Sequence, residues 1–389
     1  MDQPRRAALE GLLVADFSRV LAGPLATMVL ADLGAEVVKV ERPEGDDTRA
    51  WGPPWASDSS STYFQSVNRN KRSVVLDLRD EADLALARQL ITRADVMVEN
   101  FRPGALERLG IDEASLRSAN EGLVWCSLTG FGAGERGAAM PGYDLLIQAV
   151  GGLMSITGQP DSPPTKVGVA LVDVIAGLFA STGILAALAE RERSGLGQRV
   201  DVSLMGALLA GLVNQASGFL GAGHVPERMG NRHPSIAPYE SFGASDGEIV
   251  VAVGNDRQFA ALCAELGRAP LAADPRFATN PARVAAREEL FAALAPLFAA
   301  RTRAAWTEAL TAVGVPCGPV NDVGEAFALA ESIGLRPVVE MADGLRQTAN
   351  PIALDETPVT YRRPPPALGA DDAEVRAWLA GPPEAPLSD

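Results

Sequence analysis

The chain has 389 residues, 47% of them apolar, with 34 Lys and Arg against 49 Asp and Glu and a formal net charge of -15 at pH 7. That length gives room for two domains with real cores, and an acid surplus of this size argues against general nucleic-acid binding. Three widely spaced cysteines, Cys126, Cys263 and Cys317, without a C-x-x-C pair, fit a reducing compartment and no metal framework. Glu10 and Asp16 interrupt the apolar stretch after Arg5 and Arg6, so no signal peptide is expected and the cytoplasm is the expected location.

From the N-terminus, GLLVADF reads as a short strand, RVLAGP as a turn, LATMVLADLG as a helix ending at Gly34 and AEVVKVE as a second strand, making a β-α-β unit. RSVVLDL, ADVMVEN and GLVWCSLTG follow as strands, with ALARQLITR and LERLG as helical pieces between them. An open, mainly parallel sheet fits, with ligand expected at the carboxyl ends of the strands. Arg19, Arg42, Arg79, Asn100 and the loop after Leu128 collect there. Residues 1–110 hold 14 Lys and Arg against 17 acids, leaving 20 against 32 for the rest. Most of those cations are arginines, among them Arg42, Arg49, Arg69, Arg72, Arg79, Arg102 and Arg108. Guanidinium forks suit phosphate, and solvated surface arginine is the plain alternative for each.

FGAGERG contains a literal G-x-G-x-x-G at Gly132, Gly134 and Gly137, but it leads to Ala-Ala-Met-Pro-Gly, and the first β-α turn reads RVLAGPLA. A flexible loop is expected there, not a dinucleotide fingerprint. From Val167 to Ala189 the only ionisable side chain is Asp173. The run is long enough to raise the question of a membrane span, but an Asp, three Gly and a Ser-Thr pair argue against insertion. TKVGVAL is expected as a strand and VIAGLFASTGILAALAERER as a buried helix, with Asp173 at their junction. Since a dry, unpaired carboxylate costs several kcal/mol, Asp173 there is expected as an N-cap, a reactive carboxylate or both, because amide donors and the helix dipole would keep it ionised in an apolar wall.

GAGHVPERMGNRHPSIAPYE reads as a linker holding both histidines, His224 and His233, and gives a Ser-His-Asp triad weak support. A second unit follows, with a strand pair around Asp246-Gly247, the helix RQFAALCAELG, a turn near Asp274 and the amphipathic REELFAALAPLFAA and AAWTEALTAVG. Beyond Val320 further short strands are expected, TPVTY among them, before a Pro-rich acidic tail.

DFSRVLAGPLATMVLADLGAEVVKVERP, NRNKRSVVLDLR, VENFRPGALERLG, PGYDLLIQAVGG, GVALVDVIAG, GLGQRVDVSL and GVPCGPV occur in this order over nearly the whole chain. Together they resemble the family III CoA-transferases, the group of formyl-CoA and carnitine CoA-transferases. The resemblance implies an acyl-CoA:carboxylate CoA-transferase whose covalent nucleophile is Asp173, working through an aspartyl anhydride and an aspartyl-CoA thioester in a closed, dry site. Backbone NH groups near the start of the Asp173 helix are expected to stabilise the oxyanions. It places coenzyme A, as the acyl-CoA substrate and without a metal, against Leu21 and Ala22 of the first loop and Arg42 after the second strand. Leu76, Asp77, Leu78 and Arg79 follow, then Asn100, Phe101, Arg102 and Arg108, and finally Met140, Pro141, Gly142 and Tyr143. An arginine-rich set suits a ligand of about four negative charges.

The resemblance further implies an α/β fold with a Rossmann-like large domain built from both chain ends and a smaller α/β domain, in an interlocked ring-like homodimer. The large CoA-binding domain would take 1–222, the linker and small domain 223–335, and the return 336–389. The site would lie where the large domain meets the partner's small domain, within reach of Asn231 and His233. Leu21 stands where the formyl-CoA branch has Gln, and that branch's glycine-rich loop in the small domain has no counterpart in this sequence; both disfavour formyl-CoA and oxalate. Tyr143 stands where the related 2-methylacyl-CoA racemases have His, which disfavours racemisation, since tyrosine titrates near 10. Arg19 beside the first loop suggests a dicarboxylate acceptor such as succinate. A racemase and a catalytically inactive CoA-binding protein remain the alternatives.

Overall fold

The computed structural model describes residues 6–382 and 387, and they form two compact units. The first comprises Met1–Leu153, Val167–Gly223 and Arg336–Asp389, and the second Met154–Lys166 and His224–Leu335. The stretch Met154–Lys166 thus belongs with the second unit, a detail the continuous 1–222 division did not contain.

The first unit is a six-stranded sheet of β1 (Leu13–Asp16), β2 (Glu36–Glu41), β3 (Lys71–Val75), β4 (Val96–Glu99), β5 (Val124–Thr129) and β6 (Arg199–Ser203). Every pairing is parallel, in the order β3-β2-β1-β4-β5-β6. Strands buried on both faces need apolar residues at odd and even positions alike. Accordingly Val14, Val96, Val98, Val124 and Cys126 face one core, with Ala26, Leu30, Ala176, Ala180 and Ile184. Ala15, Val38, Met97 and Trp125 face the other, with Leu90, Ile91, Val375 and Leu379. Helices on both faces in this strand order make a doubly wound sheet.

Within the first unit, polar contacts fix the C-terminal return to the N-terminal part. The buried Asp32 carboxylate accepts from Arg69 Nε and Nη2 at 2.9 and 2.6 Å, from Asn70 at 2.8 Å and from Asn350 at 3.0 Å. At the β3 edge, Asp371 and Asp372 accept from the Ser73 and Val75 NH groups at 2.8 and 2.7 Å, so the open edge is capped by side chains. The helix Asp372–Ala380 then packs on this edge, within the segment the sequence suggested was tail. TPVTY is not a strand: Thr360 NH goes to Asp32 O and Arg362 NH to Asn70 Oδ1, leaving no ladder to join. The short strands of this region are instead β10 (Val338–Glu340) and β11 (Arg346–Thr348), paired antiparallel.

The second unit has a three-stranded antiparallel sheet of β7 (Tyr239–Ala244), β8 (Gly247–Ala252) and β9 (Cys317–Pro319). Asp256–Glu265, Arg287–Phe298 and Arg303–Ala312 are its main helices. Phe242 stacks on Phe298 at 4.5 Å in a core with Phe259 and Trp306. Fully buried Arg283 is satisfied by Ala237 O, Phe277 O and Asp256.

Candidate active site

In this sheet β1 and β4 lie side by side while their connections run to opposite sides, which opens a crevice at their carboxyl ends. Asn100, directly after β4, clasps the backbone of Arg19, beyond the end of β1. Arg19 NH donates to Asn100 Oδ1 at 2.9 Å, and Asn100 Nδ2 donates to Arg19 O at 2.7 Å. Two cavities open around this clasp. One of about 530 Å³ lies over β1 to β3 and is lined by Arg42, Leu76, Asp77, Leu78 and Arg79. The other, about 200 Å³, is lined by Leu21, Ala22, Asn100, Arg102, Met140, Pro141, Gly142, Tyr143 and Asp173. Arg19 and Phe101 line both. Arg108 lines neither. It ends the one-turn helix Ala105–Arg108 in an exposed position, beside Leu109 of the larger cavity.

The first loop is held in an unusual conformation from beneath. Val20 has φ +71°, costly for a β-branched residue, and its NH points to both Asp46 carboxylate oxygens at 3.3 and 3.4 Å. Asp46 is paired with the fully buried Lys39 at 2.9 Å, and Lys39 Nζ also donates to Ser18 O at 2.9 Å. A second buried pair, Lys71 with Asp16 at 3.0 Å, anchors the end of β1. Burial pushes the Asp16 carboxyl up, but the charges of Lys71 and Lys39 and the hydroxyls of Ser18 and Thr27 outweigh it and hold it down at about 2. These lysines and acids were absent from the sequence-level site. Their signal was charged residues inside apolar strands, which the β-α-β reading passed over.

Asp173 is not at a strand-to-helix junction. Residues 163–170 are irregular, and the 24-residue helix Leu171–Ser194 carries Asp173 in its first turn. Val167 NH is bonded to Gln148 Oε1 and Leu171 NH to Val169 O, so the Val-rich run has no strand beside it. Nor is Asp173 the cap: the N-cap is Ala170, and the helix NH groups go elsewhere. Asp144 Oδ1 accepts from Val172 NH at 2.8 Å and from Asp173 NH at 3.4 Å. The expected oxyanion donors at this helix start are therefore already engaged. The Asp173 carboxylate itself has no hydrogen bond or ion pair among the described residues. Burial, and secondly the Asp144 charge, push it up to about 7. Half-buried Tyr63 sits in the same field: burial and then the charges of Asp173, Asp144 and Asp46 push its phenol up to about 12. It was not singled out in the sequence.

The long helix and the first helix, Ala22–Asp32, touch at Gly177, one turn beyond Asp173. A Cβ there would lie 2.6 Å from Ala22 O, so glycine alone permits the approach that brings the Leu21–Ala22 turn beside Asp173. Among the described residues this is one helix long and apolar enough to cross a membrane, yet Ala176, Ala180 and Ile184 are fully buried in the sheet core. The opposite wall holds a similar approach, in which Cβ atoms at Gly130 and Gly142 would each meet the other's Cα, at 2.6 and 2.4 Å. FGAGERG contributes Gly132 and Gly137 to this wall, and its second half forms the one-turn helix Glu135–Ala139 in place of the expected loop.

The arginines divide into two groups. Arg49 is paired bidentately with Glu41, Arg69 with Asp32, and Arg72 with Glu36 and Glu374; these belong to the fold. Arg42 is exposed and joined to Asp47, Glu44 and Gly45 O. Arg79, Arg102 and Arg108 are exposed, with no ion pair among the described residues, and are free to meet an anion. His233 and Asn231 lie in the second unit, where Asn231 donates to Ser241 and His233 Nδ1 accepts from Ser235 NH. No group of three or more His, Cys, Asp or Glu among the described residues is arranged to hold a metal.

A carboxylate with no partner, in a small cavity that shares Arg19 and Phe101 with a larger one lined by arginine, suits chemistry on a long anionic thioester. Comparison with known proteins agrees. The family model described as CoA-transferase family III matches residues 9–372. The succinate–glutarate CoA-transferase of Agrobacterium fabrum is 43% identical over 97% of each chain, and the acetyl-CoA:oxalate CoA-transferase of Acetobacter aceti 40% over 97% of each. The crystal structure of a CAIB/BAIF family protein from Brucella suis superposes with a TM-score of 0.86 at 42% identity, covering 96% of this chain and 100% of that one. The chain belongs to CoA-transferase family III and is a CoA-transferase, with CoA thioesters as its substrates.

Proposed function

We propose that this enzyme moves CoA between a CoA thioester and a dicarboxylic acid, with Asp173 as the covalent relay. An Asp173 oxygen attacks the thioester carbonyl and the C–S bond breaks, giving an acyl-aspartyl anhydride and CoA thiolate. The thiolate attacks the Asp173 carbonyl, releasing the donor acid and leaving aspartyl-CoA. The acceptor carboxylate attacks that carbonyl and expels the thiolate, which then takes the new acyl group and restores Asp173. No net proton or water is consumed. CoA is proposed to run along the larger cavity, its phosphates toward Arg42 and Arg79, with Arg102 and Arg108 near the rim and the thioester against Leu21, Ala22 and the Met140–Tyr143 wall.

The observation that carries this reading is the unpartnered carboxylate of Asp173 in the smaller cavity. A dicarboxylate is favoured because the relatives' names carry succinate, glutarate and oxalate. Oxalate, disfavoured from the sequence, therefore re-enters as an acceptor to test. Arg19 and Arg102 are the cations of the smaller cavity that a remote carboxylate would meet. The active species is proposed to be a homodimer, interlocked as the family resemblance implies. Its second copy would cover the exposed Phe179, Val213, Phe219 and Leu220. The cytoplasm remains the proposed location, with three free cysteines in support.

The decisive test is isotopic. With succinate labelled by ¹⁸O in its carboxylates as acceptor, the bridging oxygen of the second anhydride stays on the enzyme when the thiolate leaves with the acyl group. One ¹⁸O should appear in the peptide containing Asp173 during turnover with an acyl-CoA donor. Active transfer with no label in that peptide would refute the covalent route.

A further inference from the structure

The helix that presents Asp173 begins without a cap of its own. Ala170 offers no side-chain acceptor, and an aspartate in the first turn would ordinarily fold back on the free NH groups. Here the acceptor comes from another helix, Asp144–Val150. Asp144 Oδ1 takes Val172 NH at 2.8 Å and approaches Asp173 NH at 3.4 Å, while Gln148 Nε2 donates to Asp144 Oδ2 at 2.6 Å. Gln148 is fully buried, and its Oε1 holds Val167 NH at 2.9 Å. One pair of side chains, a single turn apart, thus grips both ends of the 167–172 segment.

We propose that Asp144 is a positioning residue for the nucleophile, supplying from outside the cap that frees Asp173 from structural duty and facing it with a like charge. The inference rests on the covalent role proposed for Asp173. An aspartate bonded to its own helix NH groups would be stabilised as an anion and blunted as a nucleophile. With Asp144 on those donors, the Asp173 carboxylate stays unbonded and poorly hydrated. The neighbouring charge adds to burial in holding it near 7, at the edge of ionisation under neutral conditions. The other titratable or charged groups around the two carboxylates are Tyr63, which feels both, and Arg19, Asp47, Arg102 and Tyr143 of the same cavity.

Two readouts without acyl-CoA test this, so they can fail while the transferase reading stands, and the ¹⁸O experiment can fail while they succeed. The first is carboxyl ¹³C titration of Asp173, assigned by difference against Asp173→Asn. Asp144→Asn keeps one acceptor oxygen, for Val172 NH, and removes the charge, so the midpoint should fall by at least about half a pH unit. The second is hydrogen exchange at the Val172 amide, which should stay protected in Asp144→Asn and lose protection roughly five-fold or more in Asp144→Ala. The acid limb of kcat/KM should follow the titration. Gln148→Met, which removes the donor to Asp144 Oδ2 together with the acceptor for Val167 NH and leaves the Asp144 carboxylate in place, should loosen the Val172 amide and serves if the Asp144 variants do not fold. An unmoved midpoint in Asp144→Asn, or Val172 protection unmoved in Asp144→Ala and Gln148→Met, overturns the proposal.

Discussion

At the level of single residues, the carboxylate proposed as the relay is one whose charged form the fold disfavours. Because the folded-state value of Asp173 lies above its ordinary one, the protonated form is favoured in the fold, and stability is lost as pH rises from about 4 through 7. Asp173→Asn should therefore raise the unfolding free energy by about 1–3 kcal/mol at pH 8 and by little at pH 4. Thermal melts at the two pH values check this, and an equal effect at both would mean that Asp173 is not raised. The same substitution should abolish transfer. Among the arginines, Arg79→Ala should raise the KM for the CoA thioester roughly three- to tenfold, with the difference shrinking in high salt, since it removes an unpaired, exposed cation of the larger cavity. Arg108→Ala should have the smaller effect, because that side chain lines neither cavity. Kinetics of the two variants in low and high salt would decide the order.

At the level of elements, the site is the meeting of two helix starts. The first helix arrives at the Asp173 helix where Gly177 has no side chain, and the loop before it is held at Val20 by the Lys39–Asp46 pair. Gly177→Ala must move one helix by several tenths of an ångström or more. It should cost about 1–3 kcal/mol and lower kcat by a larger factor than it raises the KM for the CoA thioester, since the proposed nucleophile Asp173 is displaced while the larger cavity is untouched. A variant with wild-type kcat would show that the first loop does not set the reaction geometry. The sequence revealed these helices by their apolar spacing. It did not reveal their contact, because a small residue in an apolar run reads the same whether it faces a backbone or a void.

At the level of the whole molecule, the unit built from both chain ends leaves Phe179, Val213, Phe219 and Leu220 exposed, the last at 81%. If a second copy covers them, Leu220→Arg should shift the mass seen by light scattering from dimer toward monomer and reduce activity with it; an unchanged mass would place the interface elsewhere. What the sequence by itself determined is local or periodic. Alternating and continuous apolar runs marked β1 to β5, the solitary charge between Val167 and Ala189 marked Asp173, and ordered motifs marked the family. The strand ends also foretold which side of the sheet carries Arg19, Arg42, Arg79 and Asn100, because a parallel strand must deliver its next residue to that edge. Only the tertiary structure decided how each charge is used. Arg49, Arg69 and Arg72 look like Arg79 in sequence, yet they are spent on Glu41, Asp32 and Glu36. Val-rich TKVGVAL resembles a strand, yet no strand lies beside it and Gln148 takes its amide. Asp173 looks like a cap, yet Asp144, 29 positions away, caps its helix. In each case a hydrogen-bond partner brought near by the fold settles the role, and residue type and spacing carry no record of such a partner.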